Sequence, residues 1–148
     1  MISADTNLFV YMWDLRDAAK NRTARTVVEA ISSRQSIVGL QVVGEFQNAL
    51  RRRLRLPVGI AAQSAQNLLT EFSTFAYDEI SVETALAEAG AGRLSYWDAL
   101  LLAAADRAGV KTMLSEDMSD GFTFGGLEVV NPFGPDGPSE RVRRVLQL

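Results

Sequence analysis

Short apolar segments alternate with helical patterns along most of this chain, and this alternation is what most restricts its fold. Residues 2–4 form a minimal strand pattern, and residues 110–114 form a second apolar, partly β-branched segment. Short strands joined by helices favour right-handed crossovers and a parallel sheet covered on both faces. We therefore predict an α/β fold, a three-layer α/β/α domain with a short-stranded, mainly parallel central sheet.

The helices are predicted from apolar residues that recur every three or four positions and from the residues that stop them. Leu100, Leu101 and Ala104 lie on one face of a predicted helix 96–108, and Gly109 is its expected stop. Ser81 is the expected N-cap of a helix 82–89. Three other helical patterns are predicted at residues 8–12, 22–32 and 59–73. A fourth helix ends before Pro57 and has an inner face formed by Val43, Phe46, Leu50 and Leu54. The other predicted strands are 37–38, 74–77, and 122–124 with 127–130, which form a final strand or a small hairpin.

Length and composition indicate one domain with a substantial core. The chain has 148 residues, of which 47% are hydrophobic. It contains neither a long apolar run nor a signal-peptide pattern, so we expect no membrane contact and a cytoplasmic location. We assign the globular domain to residues 1–133 and interpret 134–148 as an appendage, a Gly/Pro-rich linker followed by a short helix capped by Ser139.

The missing residue types restrict the chemistry. The chain has no cysteine and no histidine, which excludes thiolate and imidazole ligands and the commonest general base. Any bound metal must therefore be held by oxygen, which favours hard cations such as Mg²⁺ and Mn²⁺.

Basic residues cluster at one place although the formal net charge is −3. Arg51, Arg52 and Arg53 follow one another near the expected C-terminal end of a helix. They are either solvated residues favoured by the helix dipole or a patch that contacts the phosphates of a nucleic acid.

Four acidic residues are expected at one edge of the sheet. Asp5 and Asp117 each follow a predicted strand, and Glu45 and Asp98 are expected in the first turns of helices that begin near that edge. Ligands of open parallel sheets bind beyond the carboxyl ends of the strands. Two like charges about 4 Å apart repel by about 4 kcal/mol at an effective dielectric of 20, so four together need a compensating cation. A divalent ion there can activate water and polarise a phosphoryl group, which indicates hydrolysis.

Each acid also has an ordinary structural interpretation. Asp5 can cap the following helix, and Asp98 can complete a capping box with Ser95. Glu45 can be a solvated acid near a helix start, and Asp117 can be a turn residue.

At these residues the chain resembles the PIN-domain ribonucleases, and most closely the VapC-like toxins of type II toxin-antitoxin modules. The resemblance covers about residues 1–133. It is carried, in family order, by the segments ISADTNLFVY, VVGEFQNAL, LSYWDALLLAAA, MLSEDMSDG and VVNPF.

The resemblance implies a metal-dependent endoribonuclease that leaves a 5′-phosphate and a 3′-hydroxyl, inhibited by a cognate antitoxin and working as a homodimer. Asp5, Asp98 and Asp117 fall on the family's metal-binding positions, and Glu45 would either ligate the ion or take a proton from water. Asn7 and Ser115 would orient these groups as a supporting layer. Of the apolar residues on the early helices, Phe9, Tyr11, Met12 and Trp13 are candidates for the antitoxin-binding surface.

Two other functions remain open. A phosphatase of the haloacid-dehalogenase type also places an aspartate after its first strand, but it requires a second aspartate where this chain has Asn7. A non-catalytic PIN-fold module that binds protein or RNA would retain the same acids.

Overall fold

The computed structural model describes all 148 residues of the chain. Up to residue 114, helices separate consecutive strands as the sequence predicts, two helices in each connection, and four short strands and a last helix follow. No helix is both long and apolar enough to cross a membrane. The helices are α1 (Thr6–Tyr11), α2 (Ala18–Ser32), α3 (Leu40–Arg52), α4 (Val58–Glu71), α5 (Glu79–Gly90), α6 (Tyr96–Arg107) and α7 (Glu140–Leu146). The strands are β1 (Ile2–Ala4), β2 (Ile37–Gly39), β3 (Ser73–Phe75), β4 (Thr112–Leu114), β5 (Thr123–Phe124), β6 (Leu127–Val130), β7 (Phe133–Gly134) and β8 (Gly137–Pro138).

The central sheet is mainly parallel. Its main part has the order β1-β4-β6-β5, in which only the β5-β6 pair is antiparallel. The parallel pair β2-β3 adjoins β1 through a single bridge between Ile2 and Ser36. Residues 122–124 and 127–130 therefore form the hairpin that the sequence allowed.

Both faces of the sheet are covered. Met113 and Leu114 follow each other in β4 and are both fully buried, as are Val129 and Val130 in β6. Successive side chains of a strand point to opposite faces, so burial of both requires packing on each side. The predicted three-layer α/β architecture is confirmed.

The predicted N-cap of α5 is wrong. The helix begins at Glu79, and Asp78 is its N-cap, while Ser81 lies at the third helical position. The Asp78 carboxylate accepts from the Ser81 backbone N–H, and the Ser81 hydroxyl accepts from the Asp78 backbone N–H. This reciprocal capping box stabilises an earlier start than apolar spacing alone suggests. Asp17 has a similar effect on α2, which begins at Ala18 rather than at residue 22.

The C-terminal segment packs against the rest of the domain. Residues 133–138 form the small antiparallel pair β7-β8, and Ser139 caps α7 as predicted. Val142 and Leu146 of α7 are fully buried within the main hydrophobic core. The apolar spacing in this helix anchors it, so the Gly/Pro-rich stretch is a connection inside the fold.

Candidate active site

A cavity of about 420 Å³ lies where the carboxyl ends of β1 and β4 meet the neighbouring helices. All four predicted acids border it, although they come from four separate segments of the chain. Its charged and polar lining residues are Asp5, Thr6, Asn7, Glu45, Asn48, Arg52, Arg53, Asp98 and Asp117.

Asp5 is the most buried of the acids. The parallel pairing of β1 with β4 continues past the strand ends, since the Asp5 backbone N–H donates to the Leu114 carbonyl at 2.8 Å. One carboxylate oxygen accepts from the Thr6 backbone N–H at 2.7 Å, and the other accepts from the Ser115 hydroxyl at 3.0 Å. Asp5 is therefore the N-cap of α1 and at the same time borders the cavity.

Asn7 connects a basic side chain to Asp117. Its amide nitrogen donates to Asp117 Oδ2, and its amide oxygen accepts from Arg53 Nη2 at 2.9 Å. The Asn7 amide therefore bridges the Asp117 carboxylate and the Arg53 guanidinium. These contacts agree with the supporting role predicted for Asn7, which itself stays a prediction.

Glu45 lies deeper in its helix than expected. Because α3 begins at Leu40, directly after β2, Glu45 is in the second turn rather than the first. Its Oε2 accepts from the Thr6 hydroxyl at 2.7 Å, and its Oε1 accepts from the Gln41 amide at 2.8 Å. The two bonds orient an exposed carboxylate at the mouth of the cavity.

Asp98 is the least restrained of the four acids. Its backbone N–H donates to the Ser95 hydroxyl at 3.3 Å, which caps α6. Its carboxylate does not return a bond to Ser95, so the predicted capping box is only half formed. No other group of the chain donates to this carboxylate, which leaves it available to a ligand.

The electrostatics of the cavity penalise negative charge. Burial raises the pKa of Asp5 to about 6; the bonds from Thr6 and Ser115 oppose this shift, and the charges of Asp98 and Glu45 add to it. Burial also raises the pKa of Asp117, helped by the neighbouring Glu116 and Asp98 and opposed by Arg53 and Lys20. A cation in the cavity would relieve both effects.

The donor set suits a hard divalent cation, because it consists of carboxylate oxygens without sulfur or imidazole. In the present side-chain conformations, no three carboxylates lie together closely enough to hold one ion. Joint ligation by Asp5, Asp98 and Asp117 therefore requires side-chain rotation. Asp98 has no restraining bond, and Asp117 has only the bond from Asn7. With that rotation, the carboxylates present are suited to hold a divalent cation.

Only part of the basic cluster Arg51–Arg53 lines the cavity. Arg52 and Arg53 line it, whereas Arg51 donates to the Leu56 carbonyl at 2.6 Å and does not line it. Their predicted contact with RNA stays a prediction.

Sequence reasoning missed several contacts around the acids. Thr6 and Gln41 hold Glu45, and a salt bridge joins Lys20 to Glu116 beside Asp117. Gln41 lies one helical turn before Glu45, a spacing that signals a side-chain pair. Nothing in the local pattern links Lys20 to Glu116, since they are ninety-six positions apart.

Comparison with known proteins identifies the fold. No model of a known protein family matches the chain, and no curated protein matches it by sequence. Several solved structures are similar to the chain in fold. The VapC20 toxin of Mycobacterium tuberculosis, described as cleaving the sarcin-ricin loop, has a TM-score of 0.64 at 21% identity, covering 79% of this chain and 92% of its own.

Two toxin-antitoxin structures are similar to the same extent. A toxin-antitoxin complex from Klebsiella pneumoniae has a TM-score of 0.65 at 19% identity, covering 90% of this chain and 98% of its own. A FitAB complex bound to a DNA fragment has a TM-score of 0.66 at 18% identity, covering 89% of this chain and 95% of its own. At such identities the likeness establishes the fold: this chain has the PIN-domain fold of the VapC toxins.

Proposed function

We propose that this protein is an Mg²⁺- or Mn²⁺-dependent endoribonuclease and the toxin of a toxin-antitoxin pair. The observation that carries the proposal is the meeting of Asp5, Glu45, Asp98 and Asp117 in one cavity of a PIN-domain fold. Burial raises the pKa values of Asp5 and Asp117, and acids perturbed in this way inside a cleft mark a candidate site.

Asp5, Asp98 and Asp117 are the residues that would hold the ion. A bound divalent cation would offset their charge, polarise the phosphodiester and lower the pKa of water. Ser115 orients Asp5, and Asn7 orients Asp117.

Glu45 and the arginines would act on the substrate. The Glu45 carboxylate, fixed by Thr6 and Gln41, can accept a proton from the attacking water or ligate the ion. Arg52 and Arg53 line the same cavity and can neutralise phosphate charge next to the acids. Hydrolysis would leave a 5′-phosphate and a 3′-hydroxyl.

The test is cleavage of a long structured RNA by the purified protein, with and without Mg²⁺ or Mn²⁺. We expect EDTA to abolish cleavage and Asp98→Asn to reduce it by at least about 100-fold, the lower range for loss of a charge-stabilising group. Asp98 is the best position to test, because its carboxylate forms no hydrogen bond or salt bridge within the chain. Asp136→Asn, at an exposed acid outside the cavity, is the matched control and should cut normally.

Thermal unfolding with added Mg²⁺ supplies a second measurement. A ligand that binds only the folded state at a hundredfold excess over its Kd stabilises by about 2.7 kcal/mol. We expect this stabilisation in the wild type and its reduction in Asp98→Asn. Cleavage that survives EDTA, or a folded Asp98→Asn protein that cuts like the wild type, would refute the nuclease. Stabilisation by metal without cleavage would favour the non-catalytic module.

An apolar surface supports the antitoxin as partner. Phe9 is buried in the core, but Trp13 is 43% exposed and Leu15 is 76% exposed. Both line a surface cavity of about 540 Å³ together with Leu54 and Leu56. We expect a neighbouring gene product to co-purify with the wild type and to be lost with a Trp13→Ala, Leu15→Ala variant.

The proposed homodimer rests on the family resemblance, and light scattering of the purified protein would test it.

A further inference from the structure

Trp97, which directly precedes Asp98 in the chain, is a large apolar side chain exposed to solvent. It is 61% exposed, although burial of an indole is strongly favourable. Its ring contacts that of Tyr96 edge to face, with the centroids 5.0 Å apart and the planes at 72°. Tyr96 in turn packs against the small core of Ala85, Ala99 and Leu100. The indole is therefore supported from one side and open on the other.

The open side of Trp97 borders a space next to the acidic cavity. Trp97, Gln41 and Glu45 line a shallow cavity of about 480 Å³. Glu45 also lines the cavity that contains Asp98. A substrate could therefore place one group against Trp97 and its phosphate among the acids.

Gln41 gives this second cavity a defined polar edge. Its Nε2 donates to Glu45 Oε1 at 2.8 Å and to the Trp97 carbonyl at 3.1 Å. Both amide hydrogens are thereby used, and the two acceptors fix which end of the amide is nitrogen. The remaining oxygen, Oε1, accepts nothing from the chain and can accept an N–H from a ligand.

We propose that Trp97 and Gln41 form a subsite for one unpaired nucleobase of an RNA substrate. The base stacks on the indole, and an N–H on its Watson–Crick edge donates to Gln41 Oε1. Every nucleobase has a π-face and such an N–H, so the subsite selects unpaired structure rather than a single base. A base within a duplex is already stacked and paired, so it cannot enter. This inference rests on the proposed RNA-cleaving function.

Tryptophan fluorescence tests the subsite without depending on cleavage. The chain has two tryptophans, so Trp13→Phe leaves Trp97 as the only indole, and Asp98→Asn is added to prevent cutting. We expect a single-stranded oligoadenylate to quench Trp97 emission in the presence of Mg²⁺. The same strand paired with oligouridylate should leave the emission unchanged.

Affinity for the labelled single strand provides the second measurement. Starting from Asp98→Asn, replacement of Trp97 by alanine should weaken binding by about 5- to 150-fold, the range for loss of one stacked base. Trp97→Phe should retain most of the affinity because it keeps an aromatic face. Tyr77→Ala is the matched control, an exposed aromatic that lines none of these cavities, and it should bind normally.

Three results would overturn the subsite: equal quenching by the duplex, unchanged affinity of a folded Trp97→Ala protein, or an altered oligomeric state of that protein in light scattering. The last result would mean that Trp97 packs against a second copy of the chain. Cleavage by the wild type without a Trp97 response refutes only the subsite. Quenching without any cleavage supports the base subsite and refutes the nuclease.

Discussion

Replacing Asp5 by asparagine is expected to stabilise the metal-free protein at neutral pH while removing a ligand of the proposed ion. The substitution keeps the shape of the side chain and its role as N-cap, because asparagine caps helices as well as aspartate. Its amide oxygen can accept from the Thr6 backbone N–H, and its amide nitrogen can donate to the Ser115 hydroxyl. The buried negative charge is lost, and the buried Ser115 hydroxyl hydrogen also loses its acceptor, because asparagine has one acceptor oxygen where aspartate has two.

The size of the effect follows from the pKa of Asp5, which burial raises from 3.8 to about 6. Between these values the folded state holds a proton that the unfolded state has released, so wild-type stability falls as pH rises through this window. At about 1.4 kcal/mol for each tenfold step, the full loss above pH 6 is about 3 kcal/mol. Leaving the buried Ser115 hydroxyl without an acceptor costs about 1 kcal/mol at any pH. The net gain for Asp5→Asn is about 2 kcal/mol at pH 7.5.

Thermal unfolding in EDTA at several pH values measures this gain. For a chain of this size, about 2 kcal/mol corresponds to a rise in Tm of roughly 4–8 °C. The gain should shrink below pH 6, reach zero near pH 4.5 and become a loss of about 1 kcal/mol near pH 3, where Asp5 is protonated in both states. Asp136→Asn is the control and should shift Tm little at any pH.

A Tm of Asp5→Asn that equals or falls below that of the wild type at pH 7.5 would refute the burial argument. A gain of the same size at pH 3.5 and pH 7.5 would refute it as well, because an effect of charge must disappear with the charge.

Two further substitutions test the packing of the fold away from the site. Leu146→Ala should lower the free energy of unfolding in urea by about 2–5 kcal/mol, since Leu146 is fully buried in the main core. Val145→Ala, on the more exposed side of α7, should cost much less, and equal costs would contradict the core position of Leu146. Gly125→Ala should destabilise by about 1–3 kcal/mol, because Gly125 has φ +56° and a Cβ there would lie 2.3 Å from Asp106 Oδ2. Gly44→Ala, where a Cβ meets nothing within 4 Å, should instead be neutral or stabilising, and a similar loss at both glycines would contradict this assignment.

The parts of the fold that were predicted well are those with strong local signals. The strand at residues 2–4 and helix α6 lie within one residue of their predicted bounds, because apolar spacing and a glycine stop define them. The starts of α2 and α5 were missed because Asp17 and Asp78 begin these helices before the apolar pattern does. The burial of α7 could not be predicted from the local pattern, because its partners lie far away in the chain.

The amino-acid sequence by itself determined the order of strands and helices, the absence of histidine and cysteine, and four acids at positions that a parallel sheet brings to one edge. Only the tertiary structure decided how each acid is held: Asp5 is buried beneath Ser115, Asp117 is bonded to Asn7, and Asp98 is left unrestrained. The reason is physical. Strand and helix order depends on local periodicity, whereas burial, hydrogen bonding and pKa depend on neighbours that are more than a hundred positions away.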